Sequence, residues 1–175
     1  MDFLQNYSIK DREQLENYIN TYITKTIAVG NNLGINLHEK RFLGDHVGLQ
    51  VLDAKEFDTV SDVLKGYSSL IHNTVIHNRR NRIFEFNQTL ETDGSLIPRI
   101  EIFEPKPNAD LKKLRPGIEH IAFKVGDYDD FLAECQNRGI AIDKIIEYNG
   151  SKFFKTAIVN GVEIEFRNDF LGRFD

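Results

Sequence analysis

Two short stretches of this chain carry residue types that hold metals and move protons, and they carry them in the same order. "DHVGLQVLD" covers residues 45–53 and "EHIAFKVGD" covers 119–127. Each sets a histidine after an acidic residue and then alternates apolar with small or polar side chains, ending in Val, one residue and Asp. His46 and His120 lie 74 residues apart, and the same offset carries Val51 to Val125, Asp53 to Asp127 and Phe57 to Phe131. Four matches in one register mark an internal repeat. A second theme follows later in each copy, a glutamate set between apolar residues: Ile100-Glu101-Ile102 in the first and Ile164-Glu165-Phe166 in the second.

Residues two apart on a strand share a face. His46, Gly48 and Gln50 are therefore co-facial, as are His120, Ala122 and Lys124. The opposite faces, Val47, Leu49 and Val51 against Ile121, Phe123 and Val125, are wholly apolar and are expected to pack beneath helices. The histidine faces must then look into the space the two sheets enclose. A lone buried carboxylate costs several kcal/mol unless a cation or good hydrogen bonds compensate it. Two histidines and two glutamates turned to one cleft are compensated by a divalent ion, and their oxygen and imidazole donors suit Zn, Ni, Co, Mn or Fe without choosing among them. For either histidine alone, a hydrogen-bonded structural role is the competing reading. Glu163 shares the face of Glu165, as a rival ligand, a rim residue or a supporting partner. Arg99, Lys124 and Arg167 share strand faces with the donors and either anchor an anionic substrate or reach for solvent at the rim. Glu104, on the face opposite Glu101 and beside Pro105, reads as a solvated strand end. His72 and His77 are five apart on one strand and cannot jointly face the cleft.

The elements that must position these residues can be read from spacing. Residues 9–34 form an amphipathic helix through Leu15, Ile19, Tyr22, Ile23 and Ile27, with Gly30 and Gly34 as stop signals. INLHEKRFLGD reads as a polar linker with His38 at the surface. His46 to Leu52 alternates as a strand, Asp53 caps a helix with Phe57, Val60, Leu64 and Tyr67 on one face, and strands follow near 70–77, 83–90 and 97–104, with a turn at Thr92-Asp93-Gly94. After the loop PKPNADLKKLRPG the order repeats. A strand at 118–125 leads to a helix capped by Asp127, with Phe131, Leu132 and Cys135 inward and Gly139 after it. Strands near 141–147, 153–159 and 162–167 complete the copy, with turns at Asn149-Gly150 and Asn160-Gly161. The expected fold is α+β: two βαβββ modules, 45–104 and 117–168, forming a curved mixed sheet around a metal cleft. They make up a domain over 41–175, preceded by a helical extension over 1–40.

Bulk composition narrows the partners. A chain of 175 residues with 41% hydrophobic content suffices for one sizeable domain or two small fused modules. A net charge of -5 argues against nucleic acid, which needs a concentrated basic face. The basic cluster HNRRNR, with Arg79, Arg80 and Arg82, is expected at a solvated hairpin turn. No apolar run approaches the roughly 20 residues that span a bilayer, and MDFLQNYSIKDREQ has no signal-peptide pattern, so the expected location is cytoplasmic, with no membrane partner. A single cysteine, Cys135, rules out an internal disulfide and a thiolate zinc site of its own.

Together these residues resemble the vicinal oxygen chelate superfamily, which includes glyoxalase I, extradiol dioxygenases and methylmalonyl-CoA epimerase. Its members pair two strand-helix-three-strand modules around a metal, with ligands on the first and last strands of each. By that resemblance His46 in DHVGLQV, Glu101 in RIEIFE, His120 in EHIAFKV and Glu165 in NGVEIEF are the metal ligands. The Asn160-Gly161 turn before Glu165 is similar to the family's "DG-x-x-x-E" ending, with Asn in place of Asp. The likeness spans about residues 45–168. Within the superfamily the sequence is most similar to the YecM-like branch, through the helix at 9–34, Asp45-His46 and Gly117-Ile118-Glu119-His120-Ile121.

The resemblance implies a lyase, isomerase or epimerase acting on a small oxygenated substrate. Four protein ligands would leave two octahedral positions for water or paired substrate oxygens. Lewis-acid stabilisation of an enediolate would follow, with Glu165 in the first place and Glu101 in the second as the base. A ferrous extradiol-type dioxygenase using only His46, His120 and Glu165 is the alternative enzyme, and Glu101 counts against it by filling a position that O2 or catecholate needs. A metal-free small-molecule binding protein is the third reading, and the presence of all four ligand types counts against it. Monomer and homodimer both stay open.

Overall fold

The two repeats join edge to edge in a computed structural model that describes residues 9–76, 78–109, 116–148 and 150–172. In chain order the elements are α1 (Arg12–Asn32), β1 (Phe42–Gln50), α2 (Ala54–Lys65), β2 (Ser68–Ile76), β3 (Arg79–Thr92), β4 (Ser95–Phe103), β5 (Gly117–Val125), α3 (Tyr128–Asn137), β6 (Ile142–Tyr148), β7 (Ser151–Thr156) and β8 (Glu163–Arg167). The strands form one open mixed sheet in the order β2-β3-β4-β1-β5-β8-β7-β6. Within each copy the first and last strands pair in parallel, β1 with β4 and β5 with β8. The copies meet where β1 and β5 run antiparallel at the centre of the sheet. The α+β, twice-βαβββ architecture read from the repeat is the one observed.

Alternation decides the core. Val47, Leu49 and Val51 of β1 and Ile121, Phe123 and Val125 of β5 are buried, together with Phe57, Val60 and Leu64 of α2, Phe131 and Cys135 of α3, and Leu15, Ile19, Ile23 and Ile27 of α1. Phe131 packs edge-on to Phe42 and Phe166, with ring centroids 5.0 and 4.9 Å away. Each fully buried aromatic or aliphatic side chain of this kind stabilises by about 1.5–3 kcal/mol. Helix α1 is also tied down by hydrogen bonds. Tyr22 Oη donates to the Glu119 carbonyl and accepts from the Glu163 N–H, and Tyr18 Oη accepts from the Ile118 N–H.

Several local expectations need correction. Gly30 does not end α1. It is helical, and its missing Cβ admits the Leu37 side chain, which a methyl there would meet at 3.0 Å. The stop is Gly34, at φ +69°, where its N–H bonds the Asn31 carbonyl and the Ile35 N–H bonds the Gly30 carbonyl. The supposed polar linker buries Ile35 and Leu37, and β1 starts at Phe42, because these apolar side chains close the gap between helix and sheet. Arg79, Arg80 and Arg82 lie in β3, not at a solvated turn. Arg80 pairs with Glu104 and Asp58, both at 2.8 Å, and the Arg80 and Arg82 guanidinium groups lie over the Phe57 ring. Glu104 is thereby a partly buried ion-pair partner, not a free strand end. Asp53 caps α2 by accepting from the Glu56 N–H, whereas Asp127 precedes α3 with no such bond. Asp93-Gly94 and Asn160-Gly161 are both left-handed pairs, as tight hairpin turns require. His77, Asn149 and residues 110–115 of the long loop lie outside the described residues. Among those described, no helix is long and apolar enough to cross a membrane.

Candidate metal centre

Strand register decides which donors meet. On β1, Gly48 is paired with Glu101 of β4 on one side and His120 of β5 on the other, and His120 is paired in turn with Glu163 of β8. The neighbouring row on the same face runs Arg99, His46, Ala122, Glu165. Each histidine thus sits beside a small residue that leaves room for a ring. A Cβ on Gly48 would come within 2.1 Å of His120 Cε1.

The result is a buried convergence. The two Nε2 atoms lie 3.1 Å apart, with the rings nearly perpendicular. Glu165 Oε2 is 3.6 Å from His120 Nε2, and Glu101 Oε2 is 3.9 Å from His46 Nε2 and 4.0 Å from His120 Nε2. Donor atoms of His46, His120 and Glu165 all lie within 4.8 Å of one another. Donors on one octahedral ion at about 2.1 Å stand about 3.0 Å apart when adjacent and about 4.2 Å when opposite. The spacings of 3.1 to 4.0 Å between the two histidines and from the carboxylates to them fall in that range, and two imidazoles with two carboxylates form a donor set suited to a divalent ion.

The surroundings are charged on both sides. Asp45, fully buried, accepts from His46 Nδ1–H at 2.9 Å, from Arg99 Nη1 at 3.0 Å and from the Leu171 N–H at 3.0 Å. That fixes the His46 proton on Nδ1 and leaves Nε2 free toward the cleft. Burial alone would raise the Asp45 pKa, but His46, the Leu171 N–H and Arg167 outweigh it and hold the carboxyl below its ordinary range. Asp45 reaches the cleft side because the pairing with β5 shifts between Gly44 and His46, a bulge that turns both Asp45 and His46 to one face.

Around His120 the charge is reversed. Lys155 of β7 lies opposite Glu165, with Nζ 3.2 Å from His120 Nδ1, 2.7 Å from Glu163 Oε2 and 3.6 Å from Glu165 Oε2. Burial, then the positive charge of Lys155, pushes the His120 pKa well below the ordinary imidazole value. Burial would also lower the Lys155 pKa, but Glu165, Glu163 and Glu119 raise it. Neither Asp45 nor Lys155 was singled out as a site residue from the sequence.

The rim reading of Arg99 and Arg167 is corrected. They are only 3% and 6% exposed. Arg99 is held by Asp45 and Glu85, and Arg167 by Glu165 Oε1 at 2.7 Å and by Asp169, because the buried carboxylates need their charge. Glu163 is likewise not at the rim. It is buried against Lys155, and burial raises its pKa. Lys124 is half-buried, its Nζ 4.6 Å over the Phe170 ring, and Gln50 is half-buried at the end of β1. Among the described residues Glu101 accepts a hydrogen bond from Asn81 Nδ2 at 2.6 Å, and its side chain is 17% exposed.

A family model described as "YecM protein" matches residues 11–165. No curated protein matches the chain. Among solved structures, a structural-genomics target titled "Protein EC4020" is 16% identical at a TM-score of 0.74, over 97% of this chain and 94% of its own. Methylmalonyl-CoA epimerase of Streptomyces coelicolor in complex with 2-nitronate-propionyl-CoA is 22% identical at 0.54, covering 71% and 95%. The Mycobacterium tuberculosis methylmalonyl-CoA epimerase is 20% identical at 0.53, covering 71% and 85%. At such identities these likenesses establish a shared fold.

Proposed function

The chain belongs to the YecM family, and from that premise and its donor set we propose that it is a metal-dependent lyase, isomerase or epimerase acting on a small oxygenated substrate. The observation that carries the proposal is the approach of Glu101 and Glu165 to the paired Nε2 atoms of His46 and His120. A divalent ion held there would supply Lewis-acid polarisation of paired substrate oxygens. The chain's own residues divide the remaining work. Asp45 orients His46. Glu165 is gripped by Arg167 at one oxygen and approached by Lys155 at the other, which suits it to a fixed ligand role. Among the described residues Glu101 is held by a hydrogen bond from Asn81, and its side chain is partly exposed, which suits it to take a proton from a substrate carbon adjacent to a carbonyl and return it. The resemblance ranks Glu165 first as base, and the difference in restraint favours Glu101. Lys124 and Gln50 are proposed to line the approach. Two epimerases of like fold were solved with CoA thioesters or analogues bound, and an acyl thioester is one substrate of the required chemistry.

The test is metal stoichiometry of the purified protein and two variants. Wild type should hold about one divalent ion per chain, Glu101→Ala should hold it less tightly, and His46→Ala should lose it. A second reading rests on the three-residue group His46, His120 and Glu165, all buried, whose donor atoms lie within 4.8 Å of one another. That is the set an iron-dependent ring-cleaving dioxygenase would use. Oxygen consumption by iron-loaded protein with catechols, retained in Glu101→Ala, would install that reading in place of the first.

A further inference from the structure

The two histidines differ in what their outer nitrogens meet. His46 Nδ1 faces a carboxylate, an acceptor, and is preset to ligate through Nε2. His120 Nδ1 faces the Lys155 ammonium at 3.2 Å. An ammonium carries three N–H donors and no acceptor, so His120 Nδ1 accepts from it and the proton of the neutral ring resides on Nε2. Ligation through Nε2 requires the other tautomer, with the lone pair on Nε2 and the proton on Nδ1, where it needs an acceptor. With Lys155 in its present place, two donors would then confront each other. The same ammonium lies 2.7 Å from Glu163 and 3.6 Å from Glu165, so it neutralises buried carboxylates that an ion would otherwise neutralise. Glu119 Oε2, 3.9 Å from His120 Nδ1, is placed to accept the Nδ1 proton once Lys155 draws back.

We infer that Lys155 is a resident cation that competes with the metal. It stands in for the ion in the metal-free protein and withdraws from His120 onto Glu163 when an ion binds. The inference rests on the metal reading given above. Lys155 is a positioning residue acting through His120, and it sets how tightly the ion is held. No net proton is lost at the ring, since the one that leaves Nε2 is matched by one taken up at Nδ1.

The experiment compares Co(II) affinity, read from visible absorption in competition with a chelator, for wild type, Lys155→Met and Lys155→Arg. The methionine variant keeps the stem but removes charge and donors. It should melt lower than wild type when metal-free and yet bind Co(II) at least about tenfold tighter, while arginine should return the affinity to near the wild-type value. A residue with a merely structural role would not tighten binding when lost. Nitrogen-15 shifts of the His120 ring in metal-free wild type need no variant, and they should show the proton on Nε2. Equal or weaker Co(II) binding by the methionine variant, or a proton on Nδ1 in the metal-free protein, would overturn the role of Lys155 and leave the metal site standing. Absence of binding by wild type and variants alike would sink the metal reading, and this inference with it.

Discussion

Replacing Gly48 with alanine should dislodge His120 without unfolding the protein. Gly48 is not among the positive-φ residues, so its backbone accepts an L side chain. The new methyl, however, would stand 2.1 Å from His120 Cε1, 2.5 Å from Nε2 and 2.6 Å from Nδ1. Ordinary carbon contacts are about 3.5–4.0 Å, so the ring must retreat by about 1.5 Å. It has little room, being buried beside Phe103 and His46. Overpacking of this kind costs roughly 1–3 kcal/mol. At about 2–4 °C per kcal/mol for a protein of this size, the metal-free melting temperature should fall by about 2–12 °C. Ligand geometry must hold to about 0.5 Å, so metal affinity should drop by at least about 100-fold. Thermal melts by circular dichroism and metal titration read the two effects separately. Gly126→Ala, whose Cβ would meet nothing within 4 Å, is the control. Unchanged metal affinity in a folded Gly48→Ala protein would refute the placement of His120 as a ligand.

Asp45→Asn should lower metal affinity about 10–100-fold through loss of the carboxylate that orients His46. It should also destabilise the protein by roughly 3–5 kcal/mol, because Arg99 and Arg167 lose a buried counter-charge; chemical denaturation checks the second figure and metal titration the first. Tyr22→Phe removes the hydroxyl that ties α1 to Glu119 and Glu163. It should cost about 1–3 kcal/mol in urea unfolding yet leave metal stoichiometry intact. For Glu104, burial would raise the pKa, but the Arg80 side chain and N–H outweigh it and lower it. The carboxylate therefore contributes stability above its unfolded value of about 4.5, and that contribution is lost as pH falls through the lower folded value. Glu104→Gln should flatten the acid limb of the stability-pH curve, as followed by melts at stepped pH.

The sheet was legible because period-two alternation leaves one face of each central strand wholly apolar. Val47, Leu49, Val51, Ile121, Phe123 and Val125 could face only the core, which turned His46 and His120 the other way. What alternation could not show are its breaks. By strict alternation Asp45 belongs on the core face, and only the shift between Gly44 and His46 brings it to the cleft. Lys155 was hidden in a related way. Counting back from the Asn160-Gly161 turn pairs Val159 with Val162, as observed, and would continue to Lys155 against Phe166. The structure instead sets Lys155 against Glu165, and a slip of one residue exchanges the faces. Arg99 and Arg167 were placed on the right strands, but composition gives no sign that buried carboxylates would draw them inward. Ile35 and Leu37 were lost in a stretch whose other residues are mostly polar or Gly.

The central pairing of β1 with β5 relates the two copies so that Gly48 beside Glu101 corresponds to Ala122 beside Glu165. A pocket symmetric in its donors alone would admit a small substrate in two orientations of nearly equal energy, and a reaction begun from either would scramble handedness. The outer partners lift that degeneracy. On the His46 side stand Asp45 and Arg99, and at the corresponding place beside His120 stand Lys155 and Glu163. The charged partners of the site therefore have a direction that the repeat itself does not possess, and under the proposed function they would give a bound molecule carrying one anionic end a single preferred way to lie.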